Sequence, residues 1–204
     1  MSTLEDPFFF KAGALRLEGR LHLAPGPEAV VITHPHPLYG GELDNPVVAV
    51  LADGYQRLGY STLRFNFRGV GASEGAYDDG GGELDDLRAA TEFLAGQGKR
   101  VTELAGYSFG AWINLRLGPP LATVRRLLLV APPVAYLEFD AIPPVSAEPV
   151  VIVGDRDSFA PLDLLRQRMT SWHPAGRLHV LPGADHFYAG ALDRLAHLVE
   201  AVLT

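Results

Sequence analysis

Two stretches of the chain read G-x-S-x-G, at Gly106-Tyr107-Ser108-Phe109-Gly110 and at Gly71-Ala72-Ser73-Glu74-Gly75. Glycine two residues either side of a serine lets a strand turn sharply into a helix with the hydroxyl held at the apex, where it can act as a nucleophile. That geometry needs a strand before and a helix after. VTELA precedes Ser108 and AWINLRLG follows it, whereas Ala76 to Gly82 separate Ser73 from the next helical segment. Ser108 is therefore the expected nucleophile, and the second match reads as a turn-forming loop near the site. A serine hydroxyl also needs a base to take its proton and a carboxylate to orient that base. In this chain order both should follow the serine. Of the seven His, His34 and His36 precede it, His22 and His179 sit in strand patterns, and His173 and His197 sit at the end of one helical pattern and inside another. His186, in LPGADHFYAG between the last strand and the last helix, is the expected base. Asp155 and Asp157, in VVIVGDRDSFAP, lie just beyond a buried strand; Asp155 suits a turn that shapes its own backbone, and Asp157 is the expected acid. Asp185 reads as a turn residue, and Glu138 and Asp140 are possible substitute acids.

These residues need elements to hold them. Phe8 to Lys11 and Leu15 to Leu23 read as a half-exposed antiparallel pair at a sheet edge, the second alternating Leu15, Leu17, Gly19, Leu21, Leu23. RLHVL, at 177–181, reads as the last strand, and before it, from Ala29, the runs are mostly near-continuously apolar: AVVIT, YSTLRFNF, VTELAG, RRLLLVA and PVVIVG. Such runs mark strands buried on both faces of a parallel sheet. Between them, apolar residues at helical spacing predict helices over 47–58, 84–94, 162–169 and 188–202, the last counted from Tyr188 through Leu192, Leu195, Val199 and Val202. Alternating strand and helix implies an α/β fold with a mostly parallel sheet of about eight strands flanked by helices, and one domain over 1–204. Ligands then bind beyond the carboxyl ends of the strands, where three unusual loops collect: HPHPLYGGELDNP, RGVGASEGAYDDGGG and PPVAYLEFDAIPPVSAEP. In the second of these loops, and in the helix start after it, Asp78, Asp79, Glu83, Asp85 and Asp86 read as solvated acids. His34-x-His36 lacks a further ligand at metal-site spacing, and Gly69-x-Gly71 lacks the next glycine of a dinucleotide loop. No metal or cofactor is expected.

Composition narrows the partners. Seventeen Lys and Arg against 24 Asp and Glu give a formal charge of −7, with two Lys (Lys11, Lys99) and no basic run, so neither a nucleic acid nor an anionic membrane is an expected partner. The absence of Cys excludes a catalytic thiol, disulfides and thiolate metal sites, and fits a reducing compartment. MSTLEDPFFF has neither the charged start nor the long apolar core of a signal peptide, and no apolar run approaches a membrane span, so a cytoplasmic location is expected.

Through GYSFGA, GDRD and GADHF, in the order Ser, Asp, His, the chain resembles the α/β-hydrolase superfamily over nearly its whole length. It looks closest to small, bacterial-type hydrolases marked by HPHPLYGG and RFNFRGVGASEG. The resemblance implies hydrolysis of a carboxylic ester or thioester through an acyl-enzyme on Ser108. It also implies an oxyanion hole built from the backbone N–H of Phe109 and of a residue in the first loop. There Pro35 and Pro37 have no N–H; by resemblance the donor is His36, with Leu38 as the alternative. Relatives often carry a helical cap after the strand matching RRLLLVA. Here 132–148 is interrupted by Pro132, Pro133, Pro143 and Pro144, which implies a cap-less, open cleft that a partner subunit could cover. Tyr39, Tyr107, Phe159 and Phe187, with Phe109, Tyr136 and Phe139, are the candidates for an apolar rim of the acyl or leaving-group pocket, favouring a small-molecule substrate with an uncharged or hydrophobic acyl group over a phosphate or polyanion. The alternative reading is a ligand-binding or scaffolding protein that keeps the fold without the chemistry. The sequence does not specify an oligomeric state.

Overall fold

The computed structural model describes residues 5–117 and 123–204. Its apolar runs form one eight-stranded sheet: β1 (Asp6–Ala12), β2 (Leu15–His22), β3 (Glu28–Thr33), β4 (Ser61–Phe65), β5 (Arg100–Tyr107), β6 (Arg126–Val130), β7 (Glu148–Gly154) and β8 (Arg177–Leu181). The spatial order is β1-β2-β4-β3-β5-β6-β7-β8. β1 pairs antiparallel with β2, which pairs antiparallel with β4 through Gly19 opposite Phe65; every other pairing is parallel. The alternating pair thus forms the expected edge, the continuous runs β3 to β7 take the interior, where both faces are covered, and the partly buried β8 forms the opposite edge.

Helices α1 (Pro46–Arg57), α2 (Gly81–Gly96), α3 (Phe109–Arg116), α4 (Leu162–Trp172) and α5 (Leu192–Leu203) supply that cover. Successive residues of β3 show the division. Val30 and Ile32 pack with Leu51 and Tyr55 of α1 and Leu195 and Val199 of α5, while Val31 joins Leu87 of α2, Ile113 of α3 and Trp172 of α4 on the other face. α1 starts where Asn45 Oδ1 accepts the Val47 N–H at 2.9 Å and Pro46 occupies the first helical position. The prolines after β6 leave the 131–147 connection without a helix. That connection lies flat: Trp112 Nε1 donates to Glu138 O at 2.8 Å, and Phe139 is buried against Trp172 with ring centroids 5.5 Å apart. No cap rises from it. Among the described residues no helix is long and apolar enough to cross a membrane.

Two expectations need correction. The last helix begins at Leu192 rather than Tyr188, because Tyr188 has φ of 55°, a left-handed conformation that no helix contains. Tyr188 is still fully buried in the core that α5 completes, so the apolar spacing runs on through a loop. The acids around α2 are not all solvated. Glu83 is buried and accepts the N–H groups of Asp78 and Gly80, and Asp86 is buried against Arg68 at 2.7 Å. Together they pin the loop that follows β4.

Candidate active site

β5 ends at Tyr107 and α3 starts at Phe109, so Ser108 carries the whole turn, with φ 54° and ψ −114°. Few residues with a Cβ adopt such a conformation, which costs about 1–3 kcal/mol and persists only where neighbours enforce it. Here they do. The Ser108 N–H donates to Val130 O at 2.9 Å, and a Cβ on Gly110 would lie 2.5 Å from Thr33 O, so α3 can approach β3 only through a glycine.

Ser108 Oγ lies 3.0 Å from His186 Nε2, and His186 Nδ1 lies 2.8 Å from Asp157 Oδ2. All three side chains are buried. A carboxylate only accepts, so the His186 proton sits on Nδ1 and Nε2 is left to accept from the serine. The other oxygen of Asp157 accepts the N–H groups of Phe159 and Ala160 at 2.8 and 2.9 Å, which fixes the carboxylate against the chain beyond β7. Tyr107 holds the other side of the histidine loop, its hydroxyl donating to His186 O at 2.8 Å; burial pushes this phenol's pKa above its ordinary value. The three residues expected from sequence therefore converge from loops after β5, β7 and β8.

The rival residues go elsewhere. Ser73 Oγ donates to Asn66 O at 2.7 Å and accepts the Glu18 N–H at 2.9 Å, tying the β4 loop to β2. Asp155 does not shape its own turn; its Oδ1 accepts the Gly183 N–H at 2.6 Å and links two loops. Asp185 makes the expected turn, accepting from Phe187 N at 3.1 Å. Glu138 accepts from Asp140 N, and Asp140 pairs with Arg168.

In the first loop, His34 is fully buried, its Nε2 accepting the Phe67 N–H at 3.0 Å and its Nδ1 lying 2.6 Å from Pro35 O. Burial pushes its pKa down to about 4, so the ring is neutral. His36 O accepts from both Tyr39 N and Gly41 N, and Gly41 must be glycine because a Cβ there would sit 2.0 Å from Pro35 O. The Leu38 N–H is already spent on His36 Nδ1 at 3.2 Å. Nδ1 is therefore an acceptor, the proton is on Nε2, and it points to Tyr77 Oη 3.3 Å away. Burial lowers the His36 pKa, with the Asp79 carboxylate opposing it. Among the described residues, neither the His36 N–H nor the Phe109 N–H, the first of α3, has an acceptor.

An open cleft of about 550 Å³ lies over Ser108. His36, Phe109, Tyr39, Tyr107, Phe159 and Phe187 all line it, as does Tyr136. Tyr107 is buried and its hydroxyl committed, and Phe139 is a core residue that does not reach the cleft. Sequence reasoning missed Tyr77, the aromatic residue of a loop rich in Gly and Asp; its signal was the loop's place after a strand end. Among the described residues no Lys, Arg, Asp or Glu lines the cleft, and no cluster of three His, Asp or Glu is placed to hold a metal.

No family model matches the chain. It is 33% identical to an uncharacterised protein of Rickettsia prowazekii over 96% of this chain and 87% of that one. Among solved structures, an α/β serine hydrolase homologue from Coxiella burnetii superposes with a TM-score of 0.89 at 34% identity, covering 98% of this chain and 97% of that one. An α/β serine hydrolase without a lid from Xanthomonas campestris superposes with a TM-score of 0.87 at 30% identity, covering 98% and 94%.

Proposed function

The chain belongs to the α/β-hydrolase superfamily and its described residues form no lid, and from that premise we propose that it hydrolyses a carboxylic ester or thioester through an acyl-enzyme on Ser108. The observation that carries the reading is the continuous relay from Ser108 Oγ through His186 to Asp157 at 3.0 and 2.8 Å. His186 Nε2 takes the hydroxyl proton as Oγ bonds to the carbonyl carbon. Asp157 stabilises the imidazolium that forms and does not itself take the proton. The developing oxyanion is received by the N–H groups of Phe109 and His36, each donor of this kind being worth about 3–4 kcal/mol to the transition state. His36 is favoured over Leu38 because its N–H has no acceptor among the described residues, whereas the Leu38 N–H is bonded to the His36 ring. Return of the proton from His186 to the departing oxygen or sulfur leaves the acyl group on Ser108, and water, activated by the same histidine, releases the acid.

The test is active-site labelling with a fluorophosphonate, together with turnover of p-nitrophenyl esters and acyl-CoA thioesters of increasing chain length. Wild type should label, and Ser108→Ala should lose both labelling and turnover. Labelling that survives Ser108→Ala overturns the assignment. Tight calorimetric binding of an ester that stays chemically intact supports a ligand-binding role instead.

A further inference from the structure

The walls of the cleft differ, and the reaction distinguishes them. A departing oxygen must come within hydrogen-bond reach of His186 Nε2, since that atom hands it the proton. The alcohol half of an ester is thereby placed against whatever surrounds the His186 ring. Phe159 stacks on that ring with centroids 4.4 Å apart and planes 23° apart, and Tyr136 stacks on Phe159 at 4.5 Å and 28°. Two rings cannot share one face of Phe159 at those separations, so the three form a column. Phe187 stands nearly perpendicular beside it, at 87° to His186 and 78° to Phe159. The column and the upright ring make a corner of aromatic surface. Tyr136 and Phe187 are 65% and 66% exposed, leaving large apolar faces in contact with water. Covering such faces is favourable, and stacked or edge-on aromatic pairs add about 0.5–1.5 kcal/mol each beyond burial. No Lys or Arg among the described residues lines the cleft to receive an anion.

We propose that this corner is a leaving-group subsite for an uncharged aromatic alcohol, so that the substrates are aryl or arylmethyl esters. The proposal rests on the serine-hydrolase reading above. Ser108 Oγ bonds to the acyl carbon, the bond from that carbon to the aromatic alcohol's oxygen breaks, and the serine's proton passes through His186 to that oxygen. Water then cleaves the acyl-enzyme to a carboxylic acid and free serine.

Benzyl acetate and methyl phenylacetate test it cleanly. They are isomers with alcohols of similar acidity, and they differ in which half carries the ring. Wild type is expected to favour benzyl acetate in kcat/KM by at least about ten-fold, the range one well-placed apolar contact provides. Tyr136→Ser and Phe187→Ser, both at exposed positions, should bring the ratio of the two rates towards one. Equal rates, a preference for methyl phenylacetate, or a ratio unmoved in both variants overturns the proposal. If a fluorophosphonate labels Ser108 but neither isomer is turned over, the aromatic leaving group is wrong and the serine-hydrolase reading stands. If there is neither labelling nor turnover, both fall.

Discussion

Ser108 sits at φ 54° whether or not it reacts, so its conformation can be probed apart from its chemistry. Ser108→Ala and Ser108→Gly both remove the hydroxyl and should both be inactive, but only glycine relieves the left-handed strain. Relief is worth about 1–3 kcal/mol and the greater freedom of an unfolded glycine returns about 0.5–1, so the glycine variant should be the more stable by about 1 kcal/mol. Urea midpoints of the two variants measure this directly. Asp157 offers a second separation of structure from chemistry. An asparagine oxygen can still accept from Phe159 and Ala160, while its amide donates towards His186 Nδ1 and forces the proton onto Nε2. Asp157→Asn should therefore fold normally and lose about 10⁴-fold in kcat, read from the ester assay beside an unchanged thermal transition.

The loop after β3 depends on His34, which links it to the loop after β4 through Phe67 N. Its folded pKa of about 4 lies below the ordinary 6.5, so between those values the unfolded chain binds a proton that the folded chain refuses. The stabilisation is whole above pH 6.5 and drains away as pH falls towards 4, a loss on the order of 3 kcal/mol. His34→Gln keeps an acceptor for Phe67 N and cannot titrate; its urea stability should vary less over that interval than wild type's. Sequence patterning revealed the strands well because each interior strand is apolar on both faces, and the GYSFGA turn was legible because β5 and α3 flank it. Tyr188 misled because burial, which spacing reports, does not require a helix. Phe139 and Tyr136 are both aromatic residues of one loop, and only the path of the chain sends one under Trp172 and the other over Phe159. For Tyr77 the sequence offers only its loop's place after a strand end; its contact with His36 joins residues 41 apart, and no local pattern encodes a distance of that kind.

With no helix between β6 and β7, nothing has to swing aside before a substrate reaches Ser108. Hydrolysis of a sparingly soluble ester should therefore rise hyperbolically up to its solubility limit and level off there, without the jump that opening a lid at an interface produces; initial rates across that limit are the check. The strand order has another consequence, for how the protein is made. From β5 onward each new strand lies beside the one before it, so the sheet can extend at one edge in the order of synthesis. Ser108 follows β5, Asp157 follows β7 and His186 follows β8. On the proposed serine-hydrolase reading, a nascent chain displays its serine before its base, and would stay chemically silent until the outermost strand has docked.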